Sequence, residues 1–277
     1  YGDHRDLHLS IRRQRQMCIR DRFISEGDKI LDCEPTFGMY SFCSRVAGGE
    51  INLVQRNEEF DIDANSVIAA IDEVTKVIFV TSPNNPTGNI ATESQVVELL
   101  ETGLLVVVDE AYYEFSGQTV QHLVSHNENL VVLRTMSKWA GLAGLRVGYG
   151  IMHEKLAKYF MDVKPPYNVN IAAEAALIAS LDDVKYLLGN VEKIIAERER
   201  MFELLNALPR VKAWPSYGNY LMCEFEKNEA ERVYVELATK GIFVRNFNSP
   251  RLRDCFRIAI GTSSDTDKLI AAMKAIV

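Results

Sequence analysis

An α/β fold built on a mostly parallel sheet is what this 277-residue sequence predicts, and three observations predict it. Short runs such as KVIFVTS (76–82), LLVVVDE (104–110) and LVVLRT (130–135) are nearly continuously apolar, as strands covered on both faces must be. Stretches with helical apolar spacing separate them. Polar, turn-forming clusters follow the runs, at the strand ends where an open α/β sheet gathers its ligands.

The elements follow in order. KILDCE (29–34) reads as a strand that leads into PTFGMY (35–40) and a helix-like stretch ending at Ala47, before Gly48 and Gly49. INLVQ (51–55) reads as a strand and DANSVIAAIDEV (63–74) as an amphipathic helix. Pro83 closes the next strand, KVIFVTS. Thr92 and Gln95 have capping-box spacing at the start of the helix TESQVVELLE (92–101). LLVVVDE, LVVLRT and RVGYGI (146–151) continue the strands. Pro165 and Pro166 mark a boundary. Beyond them come helices at about 170–180 and 183–208, then strands YLMCEF (220–225), IFVR (242–245) and CFRIAI (255–260). The expected organisation is a large domain over 23–165 and a smaller α+β domain over 166–277.

Residues 1–22 stand apart. They hold six arginines, no lysine and three aspartates, a local charge of +3 in a chain whose net charge is −7. IRRQRQMCIRDR (11–22) has neither helical nor strand periodicity and resembles translated sequencing-adapter read-through. The expectation is a non-native leader, with the natural sequence starting near Phe23.

Composition excludes several functions. A pI near 5.4 argues against nucleic acid as the main partner, because phosphate neutralisation wants a basic face. The aliphatic run LLVVV (104–108) is far too short to span a bilayer. The opening YGDHRDLHLS carries charges where a signal peptide needs an apolar stretch. Five scattered cysteines, never spaced CxxC, read as the reduced thiols of a cytosolic protein. Cys33 and Cys43 are expected to fill core space. His122 and His126 lie four apart with no third ligand in view, so no metal is expected. The ERER run at 197–200 reads as a solvated helix face.

Three clusters carry the chemistry. SPNNPTGN (82–89) follows a strand and could be only a turn. In VVVDEAYYEF (106–115), Asp109 ends an aliphatic strand, a costly place for a carboxylate without a partner. A nucleotide-hydrolase reading of that acid needs a GxxxxGK[ST] loop, which the chain lacks. Nor do the glycines of GLAGLRVG (141–148) have dinucleotide spacing. TMSKWAGLAGLRVGYG (135–150) sets Lys138 beside Ser137 and eight residues before Arg146.

NPTG, then DxxY, then SK, then arginine resembles, in order and spacing, the class I/II (fold-type I) aminotransferases that use pyridoxal 5′-phosphate. The resemblance runs from about Gly27 to the C-terminus. It implies an aspartate aminotransferase-like fold with a seven-stranded-type sheet, N-terminally incomplete here, and a homodimer that shares its active sites. It also assigns roles. Lys138 is the catalytic amine that meets the cofactor aldehyde, and it should titrate low beside a cationic ring. Asp109 is the anion for the ring nitrogen. Tyr112 and Asn85 donate to the ring oxygen, and Thr135, Ser137 and Arg146 hold the phosphate. Phe37 stacks on the ring, which needs only a π face. Tyr40 is a second aromatic nearby, read equally well as a core residue.

PTFGMY, VKPPYNVN (163–170), GIFVRNF (241–247) and FRIAIGT (256–262) resemble the subgroup of that family that transaminates histidinol phosphate with glutamate and 2-oxoglutarate. There Arg257 matches the carboxylate-binding arginine and Arg245 an added arginine near the substrate. A guanidinium fork grips either a carboxylate or a phosphate. For Arg245 the plain alternative is a surface ion pair. Aromatic amino acid transamination and threonine-phosphate decarboxylation are the alternatives within the enzyme class. An inactive, N-terminally truncated fragment is the alternative outside it.

Overall fold

A computed structural model of the chain describes residues 24–164 and 166–277, so residues 1–23, Cys18 among them, and Pro165 lie outside the described residues. Six strands form the larger sheet: β1 (Lys29–Glu34), β2 (Glu50–Gln55), β3 (Thr75–Thr81), β4 (Leu105–Asp109), β5 (Leu130–Thr135) and β6 (Gly148–Met152), in spatial order β2-β1-β3-β4-β5-β6. All neighbours pair in parallel except β5 and β6, which are antiparallel. The sheet thus has six strands among the described residues, against the seven of the expected type.

The aliphatic runs are buried on both faces because each face has its own cover. Leu31, Ile78, Val80, Val106, Val108 and Val132 point into one core cluster. Their sequence neighbours Ile30, Val77, Val107 and Val131 point into another, which Tyr40 caps from the helix Met39–Val46. Burying a Val, Leu or Ile side chain contributes about 1.5–3 kcal/mol, and the parallel strands draw on both faces at once.

The smaller sheet is antiparallel, β7-β8-β10-β9, from β7 (Val211–Ala213), β8 (Tyr220–Phe225), β9 (Arg245–Asn246) and β10 (Cys255–Ala259). The core it shares with the helices Val184–Asn206, Glu229–Thr239 and Ser263–Ile276 includes Leu205, Leu221, Leu237, Phe256 and Met273.

Several expected elements change at their ends. The helix placed at 63–74 covers only Ala64–Ala69, because Ala70 and Ile71 close i→i+3 turns and Asp72 then bonds Thr75. Asp63 caps its start by accepting from the Asn65 amide. The Thr92/Gln95 capping box forms as expected on the helix Glu93–Leu100. The strand placed at 146–151 starts instead at Gly148, because Arg146 has a left-handed backbone with φ 59°. IFVR contributes only Arg245 to β9, and the three-residue β7 has no period long enough to read. The ERER run is only in part a solvated face: Glu199 is exposed, and Glu197 and Arg200 are half-buried. Arg198 is buried and donates to the Gly218 carbonyl at 2.9 Å, tying the long helix to the turn before β8.

Candidate active site

The site sits where the sheet's central strands end. Thr81 of β3 lies opposite Asp109 of β4, and Asp109 opposite Leu133 of β5, so the segments after all three strands emerge side by side. That register brings together clusters that are far apart in sequence. They line a cavity of about 570 Å³. All eight expected cofactor residues lie on its wall: Phe37, Asn85, Asp109, Tyr112, Thr135, Ser137, Lys138 and Arg146.

At one end is Asp109. Its Oδ2 accepts from the Tyr40 hydroxyl at 2.5 Å and its Oδ1 from the Ala111 amide at 3.0 Å. Burial pushes its carboxyl above the ordinary value of 3.8; the Tyr40 bond, the Ala111 bond and the Lys138 charge oppose this. Asp109 is half-buried and lines the cavity. Two neutral donors hold the carboxylate, and no cation touches it among the described residues, so a cationic ring nitrogen fits the place.

At the other end is a donor cradle. Thr135 Oγ1 donates to Ser137 Oγ at 2.8 Å and accepts from the Ser137 amide at 3.1 Å. Arg146 reaches Ser137 Oγ at 3.5 Å and the Ala143 carbonyl at 2.8 Å. The left-handed backbone at Arg146 is unfavourable for a side chain of that size, and such strain gathers at ligand clamps. Hydroxyls, an amide and a guanidinium form a donor set suited to a phosphate.

Between the two ends, Lys138 exposes its amine to the cavity, 5.4 Å from the centre of the Tyr112 ring. Its pKa is lowered from 10.5, first by burial and then by the charges of Arg257 and Arg146, with Asp109 opposing. Tyr112 is pushed up to about 12 by burial, against the pull of Arg257, so it stays a donor. Asn85 Oδ1 accepts from Arg257 Nη1 at 2.5 Å, which leaves the amide hydrogens of Asn85 for another acceptor. Phe37 keeps 38% of its surface exposed, so its ring face is free to stack. Dimensions and chemistry together fit pyridoxal phosphate, with an anion for its nitrogen and donors for its oxygens.

The SPNNPTGN stretch is a turn and more. Asn84 is buried, with its amide on the Pro35 carbonyl and Thr87, while Asn85 faces the cavity. Gly88 has φ +87°, and a Cβ there would lie 2.7 Å from Ser216 Cα, so only glycine lets the smaller sheet's approach segment come this close.

The two arginines are not on the cavity wall. Arg257 reaches it through Asn85, and its Nε is buried without a partner among the described residues. Arg245 pairs directly opposite Arg257 across β9 and β10 and makes no ion pair among the described residues.

Sequence reading missed two groups. Tyr40, left between two readings, bonds Asp109 directly. Glu110 and Arg134 form a buried ion pair at 2.9 Å, completed by the Thr119 hydroxyl and the Val120 amide, with the Tyr113 ring 3.6 Å from Arg134 Cζ. The signal was present: a second acid directly after Asp109 and a lone arginine inside an apolar strand. Among the described residues no cluster could hold a metal, and His122 instead meets Glu93 at 3.0 Å. No described helix is long and apolar enough to cross a membrane.

Residues 16–273 match the family model described as aminotransferase class I and II. A histidinol-phosphate aminotransferase of Roseiflexus castenholzii is 45% identical over 254 residues, covering 90% of this chain and 68% of that protein. The crystal structure of a histidinol-phosphate aminotransferase from Clostridium acetobutylicum superposes with a TM-score of 0.84 at 25% identity, covering 97% of this chain and 89% of the other. A Thermus thermophilus aspartate aminotransferase mutant shares the fold at 22% identity, with a TM-score of 0.81 over 95% of this chain and 77% of its own.

Proposed function

The chain belongs to the aminotransferase class I and II family and is an aminotransferase, and we propose that it moves the amino group of histidinol phosphate to 2-oxoglutarate, yielding glutamate, with pyridoxal phosphate as cofactor, in histidine biosynthesis. In this reading residues 23–165 hold the cofactor and residues 166–277 supply the substrate arginines. One observation carries the substrate assignment: Arg245 and Arg257 stand opposite one another on an antiparallel pair. Like charges placed so are destabilising unless an anion joins them. An enzyme whose two amino donors present a phosphate in one half-reaction and a carboxylate in the other supplies that anion each time. The Roseiflexus castenholzii relative at 45% identity supports the same substrate.

Bound in the cavity, the cofactor supplies an aldehyde and an electron-withdrawing ring that spreads negative charge from the substrate carbon. The chain does the rest. Asp109 keeps the ring nitrogen protonated, and Tyr112 and Asn85 donate to the ring oxygen. Thr135, Ser137 and Arg146 fix the phosphate, and the Phe37 ring covers one face. Lys138 Nζ, its pKa lowered by burial and its cationic neighbours, would accept and hold the proton that leaves the amine-bearing carbon of the substrate.

The test is a substrate profile. Glutamate should form from 2-oxoglutarate with histidinol phosphate far faster than with phenylalanine, and threonine phosphate should release no carbon dioxide. A preference for either of those two would move the assignment to the corresponding relative.

The arginines make a separable expectation. Arg257→Ala should weaken glutamate and histidinol phosphate alike, by roughly 2–5 kcal/mol, since each loses its charged partner. Arg245→Ala should fall harder on the phosphorylated substrate. Kinetics of the two isolated half-reactions decide this, and equal losses for Arg245→Ala would remove its phosphate role.

A homodimer is part of the proposal. The helix Ile171–Asp182 buries only Ala173, while Ile171, Ile178 and Leu181 are exposed, and Tyr167 just before it is 89% exposed. An apolar helix left uncovered on this scale calls for a partner surface. Sedimentation equilibrium should give a dimer, and Ile178→Lys should shift the protein toward monomers. A wild-type monomer at micromolar concentration would refute this.

A further inference from the structure

We infer that Tyr40 is a positioning residue for the cofactor site: its hydroxyl fixes the Asp109 carboxylate and keeps it ionised for the ring nitrogen. The inference rests on the cofactor reading above and adds a residue to it.

The geometry gives Tyr40 two separate anchors. Its ring stacks on Phe79 with centroids 4.6 Å apart and planes 14° from parallel, and it meets the Phe37 ring edge-on at 5.7 Å. The ring is therefore held by packing, independently of what the hydroxyl does. The next residue pins the same helical turn, because Ser41 Oγ donates to Asp32 Oδ2 at 2.7 Å on β1. With the ring fixed, the hydroxyl lies 2.5 Å from Asp109 Oδ2.

Proton counting sets the direction of that bond. Thr36 gives its hydroxyl proton to Asn84 Oδ1 at 2.7 Å. Thr81 has one proton to share between Thr36 at 3.0 Å and the Tyr40 oxygen at 3.2 Å. Tyr40 is thus left to accept from Thr81 and to donate to the carboxylate, its shorter contact. Burial, then Asp109, hold the Tyr40 hydroxyl well above its ordinary pKa, so it donates at every working pH. The chain of contacts also joins the NPTG turn to Asp109, and the Phe37 edge contact links the stacking ring to the same tyrosine.

The experiment uses Tyr40→Phe, which removes one oxygen and keeps the ring packing. In cofactor-free protein with ¹³C-labelled aspartate, the Asp109 signal, assigned by its loss in Asp109→Asn, should titrate about one to two pH units higher in Tyr40→Phe than in wild type. Pyridoxal phosphate should bind the variant about ten to a hundred times more weakly, with the fold intact by far-UV circular dichroism. In wild type, the Tyr40 hydroxyl proton should resonate far downfield, be absent in Tyr40→Phe and move upfield in Asp109→Asn, where its acceptor carries no charge. An unmoved Asp109 titration with full cofactor affinity in Tyr40→Phe overturns the inference alone. Wild-type protein that binds no pyridoxal phosphate overturns the cofactor reading and this role with it.

Discussion

Lys138→Ala is expected to abolish transamination while leaving the protein folded. Lys138 is asked for two things: an amine for the cofactor aldehyde and a base at Nζ. Proton handling of this kind is worth roughly 10²- to 10⁴-fold in rate, and losing the covalent anchor adds to that. Borohydride treatment should fix cofactor to the wild-type chain and not to the variant. Retention of label by the variant would remove Lys138 as the anchor. The charge environment supplies a second, independent signature. In the folded protein the Lys138 pKa is lowered from 10.5, so its cationic form is disfavoured relative to the unfolded chain. The sign follows from linkage: this destabilisation is absent above the unfolded value, grows as the pH falls below it, and is complete below the lowered folded value. Cofactor-free Lys138→Ala should therefore unfold at a temperature equal to or above that of wild type near neutral pH.

Much of this was legible in the sequence, for a physical reason. The strands β1, β5 and β8 were readable almost residue for residue because their apolar runs are bounded by polar or turn-forming residues. The residues expected to hold a cofactor meet in one cavity because all but Arg146 end a strand or follow shortly after one, so order along the chain maps onto order across the sheet. What escaped depended on contacts that no local pattern encodes. The edge strand β6 runs antiparallel to β5 after a connection that includes a left-handed residue at Arg146, and a non-glycine residue there gives no warning. Arg198 looked like one charge among four on a helix, yet a carbonyl 20 residues away receives it inside the protein. Tyr40 presents the same difficulty in sharper form. Nothing in PTFGMY distinguishes a core tyrosine from one whose hydroxyl meets a carboxylate 69 residues further on.

Asp109→Asn is expected to cost roughly two to four orders of magnitude in rate with the fold intact. A cation left in a low-dielectric site without its partner loses about 3–5 kcal/mol, and each 1.4 kcal/mol is tenfold in rate. Asparagine keeps the size and can still accept from Tyr40 and Ala111, but it carries no charge to hold a proton on the ring nitrogen. The fold should tolerate the change. Burial raises the Asp109 pKa, so by linkage its contribution to stability is greatest at low pH and falls as the pH rises through the folded value. Removing the charge should then leave cofactor-free stability at pH 7 unchanged or higher. In the wild type, pyridoxal phosphate reverses the balance, because a cation beside Asp109 lowers its pKa again. Cofactor should consequently raise the wild-type unfolding temperature more than that of Asp109→Asn, with the gap closing as the pH falls and Asp109 protonates. Unfolding scans of both proteins with and without pyridoxal phosphate at two pH values measure this directly. Equal stabilisation at both, together with near-normal turnover, would show that the ring nitrogen does not depend on Asp109.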